Sequence, residues 1–108
     1  MRQANPDELF KALSDPTRRA LFERLSRDGE LTVHRLTERS GVSQPAVSKH
    51  LGQLRDAGLV RDRRSGRETH YSAQPQALAP LLDWMKSYAT FWNDRLERLD
   101  NLLDRMDQ

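Results

Sequence analysis

Apolar residues recur along this chain at helical spacing, except in one stretch that alternates instead. Leu9, Phe10 and Leu13 share one side of a short predicted helix over residues 7–13, which Ser14-Asp15-Pro16 ends. Asp15 is then a good N-cap for a second helix with Pro16 at its first position. Leu21, Phe22 and Leu25 give that helix a buried side, and Asp28-Gly29 stops it. Residues 31–58 read as two short helices joined by a tight turn, a helix-turn-helix. Thr32 caps the first, which turns Val33 and Leu36 inward. Ser40-Gly41-Val42 breaks it, with Gly41 free to take positive φ and Val42 expected to plug the turn. Ser43 caps the second, Pro45 lies in its first turn, and Gly58 is its expected left-handed terminator.

The second helix of this pair carries Val47, Leu51 and Leu54 at i, i+4, i+7, so a stripe of about 100° faces a core. Its other face carries Gln44, Pro45, Ser48, Lys49, Gly52 and Asp56. Amide, hydroxyl and ammonium groups without bulky apolar cover suit the floor of a DNA major groove, although an ordinary solvated helix face has the same look. The stretch that follows changes from helical to extended. Ser65-Gly66 signals a hairpin turn between strands at 59–64 and 67–72, a wing, and Arg63, Arg64 and Arg67 bracket its tip. Cationic side chains there reach phosphates or a narrow minor groove; the alternative is a charged edge that blocks strand aggregation. Tyr71 is expected to pack under the wing. Arg18 and Arg19 sit in the first turn of their helix, where positive charge opposes the macrodipole. A phosphate contact and an ion pair with Asp15 or Glu23 both explain them.

Residues 78–106 read as one long amphipathic helix entered through Pro75 and Pro80, with Met85, Trp92, Leu99 and Met106 recurring every seven residues. At 1.5 Å per residue it is ~40 Å long, more than so small a domain can cover. A second copy can cover it. The expected homodimer contacts are Leu81, Met85, Tyr88, Trp92, Leu96, Leu99 and Leu103. A pocket around Trp84, Tyr88 and Trp92, or a monomer with a fraying tail, are the competing readings.

Composition narrows the chemistry. The 108 residues make a single domain, 1–108, with 36% hydrophobic and 31% charged residues and a net charge of +2. The charge is uneven: residues 1–40 carry an excess of +1, residues 41–73 of +3, and residues 74–108 of −2. The basic excess thus coincides with the second motif helix and the wing, as a footprint for phosphate would. Without cysteine there is no disulfide framework, thiolate metal site or thiol nucleophile. His34, His50 and His70 are scattered, so no metal or other cofactor is expected. The polar, acidic N-terminus and the lack of a long apolar run lead to an expected cytoplasmic location without membrane contact. No enzyme is expected either, since Ser48 and His50 lie at i, i+2 on a helix and do not face each other.

The wording FKALSDPTRRALFERL, LTERSGVSQPAVSKHLGQLRDAGLV and RRSGRETHYS resembles the ArsR/SmtB winged-helix repressors over residues 8 to about 73. The resemblance implies a mainly α fold with a small β-hairpin wing (59–73) and a long C-terminal dimerisation helix. It also implies a dimer that binds a palindromic operator in double-stranded DNA, with the second motif helix in the major groove. Carried over, Gln44, Pro45, Ser48 and Lys49 are the groove contacts, and Arg63, Arg64 and Arg67 the backbone contacts. Metal sensors of that family place a Cys-x-Cys-like pair where this chain has Thr32 and His34, and residues 71–108 hold none of the histidines that other members use as ligands. The resemblance is therefore to the metal-independent branch, some members of which repress their own operons, and the sequence names no inducer. A winged-helix protein-interaction module, docking a different protein on the long apolar helix, is the alternative.

Overall fold

The computed structural model describes residues 4–106. Each of the first four helices starts on a side chain that satisfies a free backbone N–H. Asn5 accepts from the Glu8 amide at 2.9 Å to open α1 (Pro6–Ser14), and Asp15 accepts from the Arg18 amide at 2.8 Å to open α2 (Pro16–Asp28). That bond, first among several influences, holds the Asp15 carboxyl below the ordinary aspartate range. Thr32 caps α3 (Val33–Thr37) through the Arg35 amide, and Ser43 caps α4 (Gln44–Asp56) through the Ala46 amide at 3.3 Å. Because the Ser43 hydroxyl is the only side-chain cap of α4 among the described residues, Ser43→Ala should cost about 1 kcal/mol of stability. Urea denaturation at fixed protein concentration reads that loss, and an unchanged midpoint would mean that water replaces the cap.

The end of α4 is as well specified as its start. Gly58 takes φ 78°, the Leu59 amide donates to the Leu54 carbonyl, and the Gly58 amide donates to the Arg55 carbonyl, both at 2.9 Å. This 6→1 and 5→2 pairing brings Leu54 and Leu59 together, and both are fully buried. The α3–α4 turn departs from expectation at one point. Arg39 and Gly41 both adopt positive φ, but Val42 is exposed and plugs nothing. Ser40 fixes the turn instead: its hydroxyl donates to the Thr37 carbonyl at 2.7 Å and accepts from the Val42 amide at 3.2 Å.

Three antiparallel strands follow the order β1-β3-β2, with β1 at Leu31–Thr32, β2 at Val60–Ser65 and β3 at Glu68–Ala73. The wing is a two-stranded hairpin plus a short outer strand that periodicity cannot register, since β1 has only two residues. Ser65 pairs with Glu68, so the turn is Gly66-Arg67, one residue later than Ser65-Gly66. Tyr71, opposite Leu31 and Asp62, is buried beneath the wing as expected, and that burial pushes its phenol upward. The core joins Leu9, Leu21, Phe22, Leu25, Leu36, Val47, Leu51, Leu54, Leu59 and Val60, and holds no buried polar residue among the described ones.

After a 3₁₀ turn at Pro75–Leu78, the C-terminal segment is two helices instead of one, α5 (Ala79–Lys86) and α6 (Ala89–Met106). At the junction the hydrogen bonds tighten to i→i+3, from the Ser87 amide to Trp84 and the Tyr88 amide to Met85, while the Ser87 hydroxyl donates to the Trp84 carbonyl. Helix α5 docks on α1 through an edge-on contact of Trp84 with Phe10, ring centroids 5.2 Å apart. Leu78 and Leu81 pack against the core. Leu81, an expected contact with a second copy, is partly buried against the core of its own domain and keeps part of its surface exposed. Every residue of α6 is exposed. The radius of gyration is 18.1 Å, against about 13 Å for a compact chain of this length. Among the described residues no helix is long and apolar enough to cross a membrane.

Candidate nucleic-acid interface

Helix α4 buries Val47, Leu51 and Leu54, which leaves Gln44, Pro45, Ser48 and Lys49 exposed on its opposite side at the N-terminal end. Among the described residues, nothing accepts or donates a hydrogen bond to the side chains of Gln44, Ser48 or Lys49. Their polar groups are therefore available to a ligand. The wing folds back toward them. A cleft of about 250 Å³ is lined by Thr32, Val33, His34, Gln44, Ser48, Arg67, Glu68 and Thr69, so the first turns of α4 and the wing turn share one concave surface. Arg64 pairs across the hairpin with Thr69, on the wall of this cleft. Arg64 and Arg67 are exposed and have no carboxylate partner among the described residues.

Arg63 is different. Its Nε lies 3.1 and 3.0 Å from the two carboxylate oxygens of Glu30 and its Nη2 2.6 Å from Oε1, a bidentate pairing. The hydrogen bond holds Glu30 below the ordinary glutamate range and raises the Arg63 guanidinium further. Among the described residues, the three arginines bracketing the tip are therefore two cations without a carboxylate partner and one that is already engaged. Arg55, at the far end of α4, pairs with Asp62 of β2 at 3.1 Å and ties the helix to the wing.

Arg18 and Arg19 are both held by main-chain carbonyls, and the Arg18 charge also helps to lower the Asp15 carboxyl. Arg19 donates to the Leu13 carbonyl at 2.7 Å, and Arg18 donates to the Ala12 and Lys11 carbonyls and to the Gln53 side chain of α4. Both close the open C-terminal carbonyls of α1, where cations are favoured, and Arg18 also fixes α4 against the α1–α2 corner. Arg24 does the same for α3 by donating to the Glu38 carbonyl at 2.8 Å. These positioning residues escape sequence reading because their acceptors are main-chain carbonyls on other turns, which leave no side-chain pattern. His50 packs at the helix edge, its buried Nδ1 3.9 Å from the Asp15 carboxylate and without a hydrogen bond. Thr32 caps α3 and His34 lies exposed, 3.6 Å from Glu38. No group of three or more His, Cys, Asp or Glu side chains suited to a metal ion occurs among the described residues.

The helix-turn-helix domain family matches residues 13–63. The transcriptional repressor SdpR of Bacillus subtilis is 34% identical over 82 residues, which is 76% of this chain and 90% of SdpR. The crystal structure of an ArsR family transcriptional regulator superposes with a TM-score of 0.71 at 32% identity, over 85% of this chain and 97% of that one. This chain belongs to the ArsR family. It presents the second motif helix and the wing turn on one concave surface. The arsenic resistance transcriptional regulator ArsR1 of Pseudomonas putida is 44% identical over 71 residues, but this chain spans only 56% of its length. The relatives are transcriptional regulators, which sets the ArsR-type reading above the docking-module alternative.

Proposed function

We propose that this ArsR-family chain is a cytoplasmic, homodimeric transcriptional repressor that reads a palindromic operator in double-stranded DNA. The observation that carries the reading is the shared cleft of Gln44, Ser48 and Arg67, which sets base-reading groups and a phosphate-binding cation on one surface. Gln44, Ser48 and Lys49, beside Pro45, supply sequence choice from the major groove, and Arg64 and Arg67 bind the backbone. Two such surfaces require two copies. Trp92, Leu96, Leu99, Leu103 and Met106 step along α6 at intervals of four and three, and all are about half exposed or more. With Met85, Tyr88 and Phe91 they present on the order of 1,000 Å² of apolar surface, beyond the roughly 300–600 Å² patch of an ordinary monomer. That is enough for one side of a standard interface of about 800 Å² per partner.

The test is a salt titration of binding to the chain's own upstream DNA and to a scrambled duplex. Arg64→Ala with Arg67→Ala should weaken binding to both duplexes and reduce the slope of log K against log salt by roughly 0.9 for every phosphate that either copy no longer neutralises. Gln44→Ala with Ser48→Ala should instead narrow the gap between operator and scrambled DNA, by about 1–3 kcal/mol for each base that goes unread. Equal loss on both duplexes would show that Gln44 and Ser48 do not read bases. An unchanged salt slope would remove the wing from the interface.

A further inference from the structure

The bidentate Glu30–Arg63 pair crosses the sheet. Arg63 on β2 stands opposite His70 on β3, and His70 stands opposite Thr32 on β1. Glu30 precedes β1 by one residue, so the pair runs from one outer strand to the other over the middle one. His70 lies partly buried at this crossing, with Nδ1 3.7 Å from the Glu30 carboxylate and Nε2 3.9 Å from that of Glu68. Arg64 follows Arg63 directly and Arg67 lies in the turn, and neither has such a carboxylate among the described residues. A carboxylate and a phosphate offer a guanidinium the same pair of acceptor oxygens. Glu30 thus occupies on Arg63 the place a DNA phosphate would take.

We propose that Glu30 is a specificity-determining positioning residue, a built-in phosphate competitor that holds Arg63 as a strap across the wing and keeps it out of sequence-independent DNA binding. The proposal rests on the reading of the wing as a phosphate-contacting element. Its consequence is selective: each copy brings fewer cations to arbitrary DNA than its sequence suggests. Discrimination improves because non-specific affinity is almost wholly phosphate contact, whereas operator affinity also includes the groove contacts of α4.

The experiment measures binding of the full chain to a scrambled duplex across a salt series for the wild type, Glu30→Gln, Arg63→Ala, the double variant, and Arg64→Ala with Arg67→Ala. Glu23→Gln, which removes an exposed carboxylate from α2, controls for bulk charge. Glu30→Gln should tighten scrambled-duplex binding by roughly three- to tenfold and steepen the salt slope by about 0.9 for each copy that engages DNA. Arg63→Ala alone should leave the slope unchanged, and the double variant should return to the wild-type slope. Thermal melts of each variant confirm that the sheet is retained, and a purely structural role for the pair would move the melts without steepening the slope. The proposal is overturned if Arg63→Ala flattens the wild-type slope, because Arg63 is then already on phosphate. It is also overturned if Glu30→Gln behaves like Glu23→Gln. A flat response from Arg64→Ala with Arg67→Ala signals the separate failure of the wing reading, which takes the strap down with it.

Discussion

Leu99→Asp should leave the winged domain folded, convert the protein to a monomer and weaken operator binding by about 10²–10⁴-fold, the avidity that disappears when two linked binding units act singly. Leu99 is 50% exposed in the single chain and lies on α6, which has no buried residue. A carboxylate there meets water in the monomer and costs it little. In a dimer sealed along Trp92, Leu96, Leu99 and Leu103, the same carboxylate is buried without a partner, at a cost of several kcal/mol per copy. Light scattering reads the mass, circular dichroism confirms the retained fold, and operator titration gives the affinity. Leu81→Asp is a poorer test, because Leu81 packs against its own core and its loss also damages the monomer. A Leu99→Asp protein that stays dimeric and keeps operator affinity would remove α6 from the interface. Helix α5 and Phe10 of α1, which meet through Trp84, would then be left to join the copies.

What the sequence makes legible is local chemistry. Asp15, Thr32 and Ser43 announce helix starts because a cap and the amide it satisfies lie three residues apart, and Gly58 announces an end because only its backbone takes φ 78° without strain. The apolar stripe of α4 likewise fixes which face is left for a ligand, and Gln44, Ser48 and Lys49 lie on that face. Contacts between distant segments leave no such trace. Arg18 reaches Gln53 across 35 positions and Arg63 reaches Glu30 across 33, so neither partner is visible in the local sequence. The break between α5 and α6 is hidden for another reason: Ser87 carries neither the missing amide of proline nor the freedom of glycine. The ladder tightens there while the apolar pattern runs on from Met85 to Trp92. The turn of the hairpin shifts by one because Ser-Gly and Gly-Arg are both acceptable two-residue turns around a single glycine, and only the Ser65–Glu68 pairing decides between them.

Leu51→Ala should destabilise the folded chain by about 2–5 kcal/mol, a large share of the roughly 5–15 kcal/mol that holds a typical domain together. Leu51 is fully buried at the middle of α4, between Val47 and Leu54, and truncating it leaves a cavity in the same stripe that anchors the helix beneath its DNA-facing side. For a domain of this size each kcal/mol moves the melting temperature by about 4–8 °C, so a drop of roughly 8–40 °C is expected. Binding and folding then separate by temperature. Below its melting transition the variant should retain operator preference, since Gln44, Ser48 and Lys49 are untouched, and above it both duplexes should lose affinity together. Leu96→Ala is the matched comparison. The residue is the same type and also helical, but 56% exposed in the single chain, so its truncation should barely change the stability of a dilute monomer and should act on dimer dissociation. A Leu51→Ala cost below about 1 kcal/mol would mean that the core closes around the missing atoms. Helix α4 would then owe its position to the Arg18–Gln53 and Arg55–Asp62 contacts instead of to its apolar face.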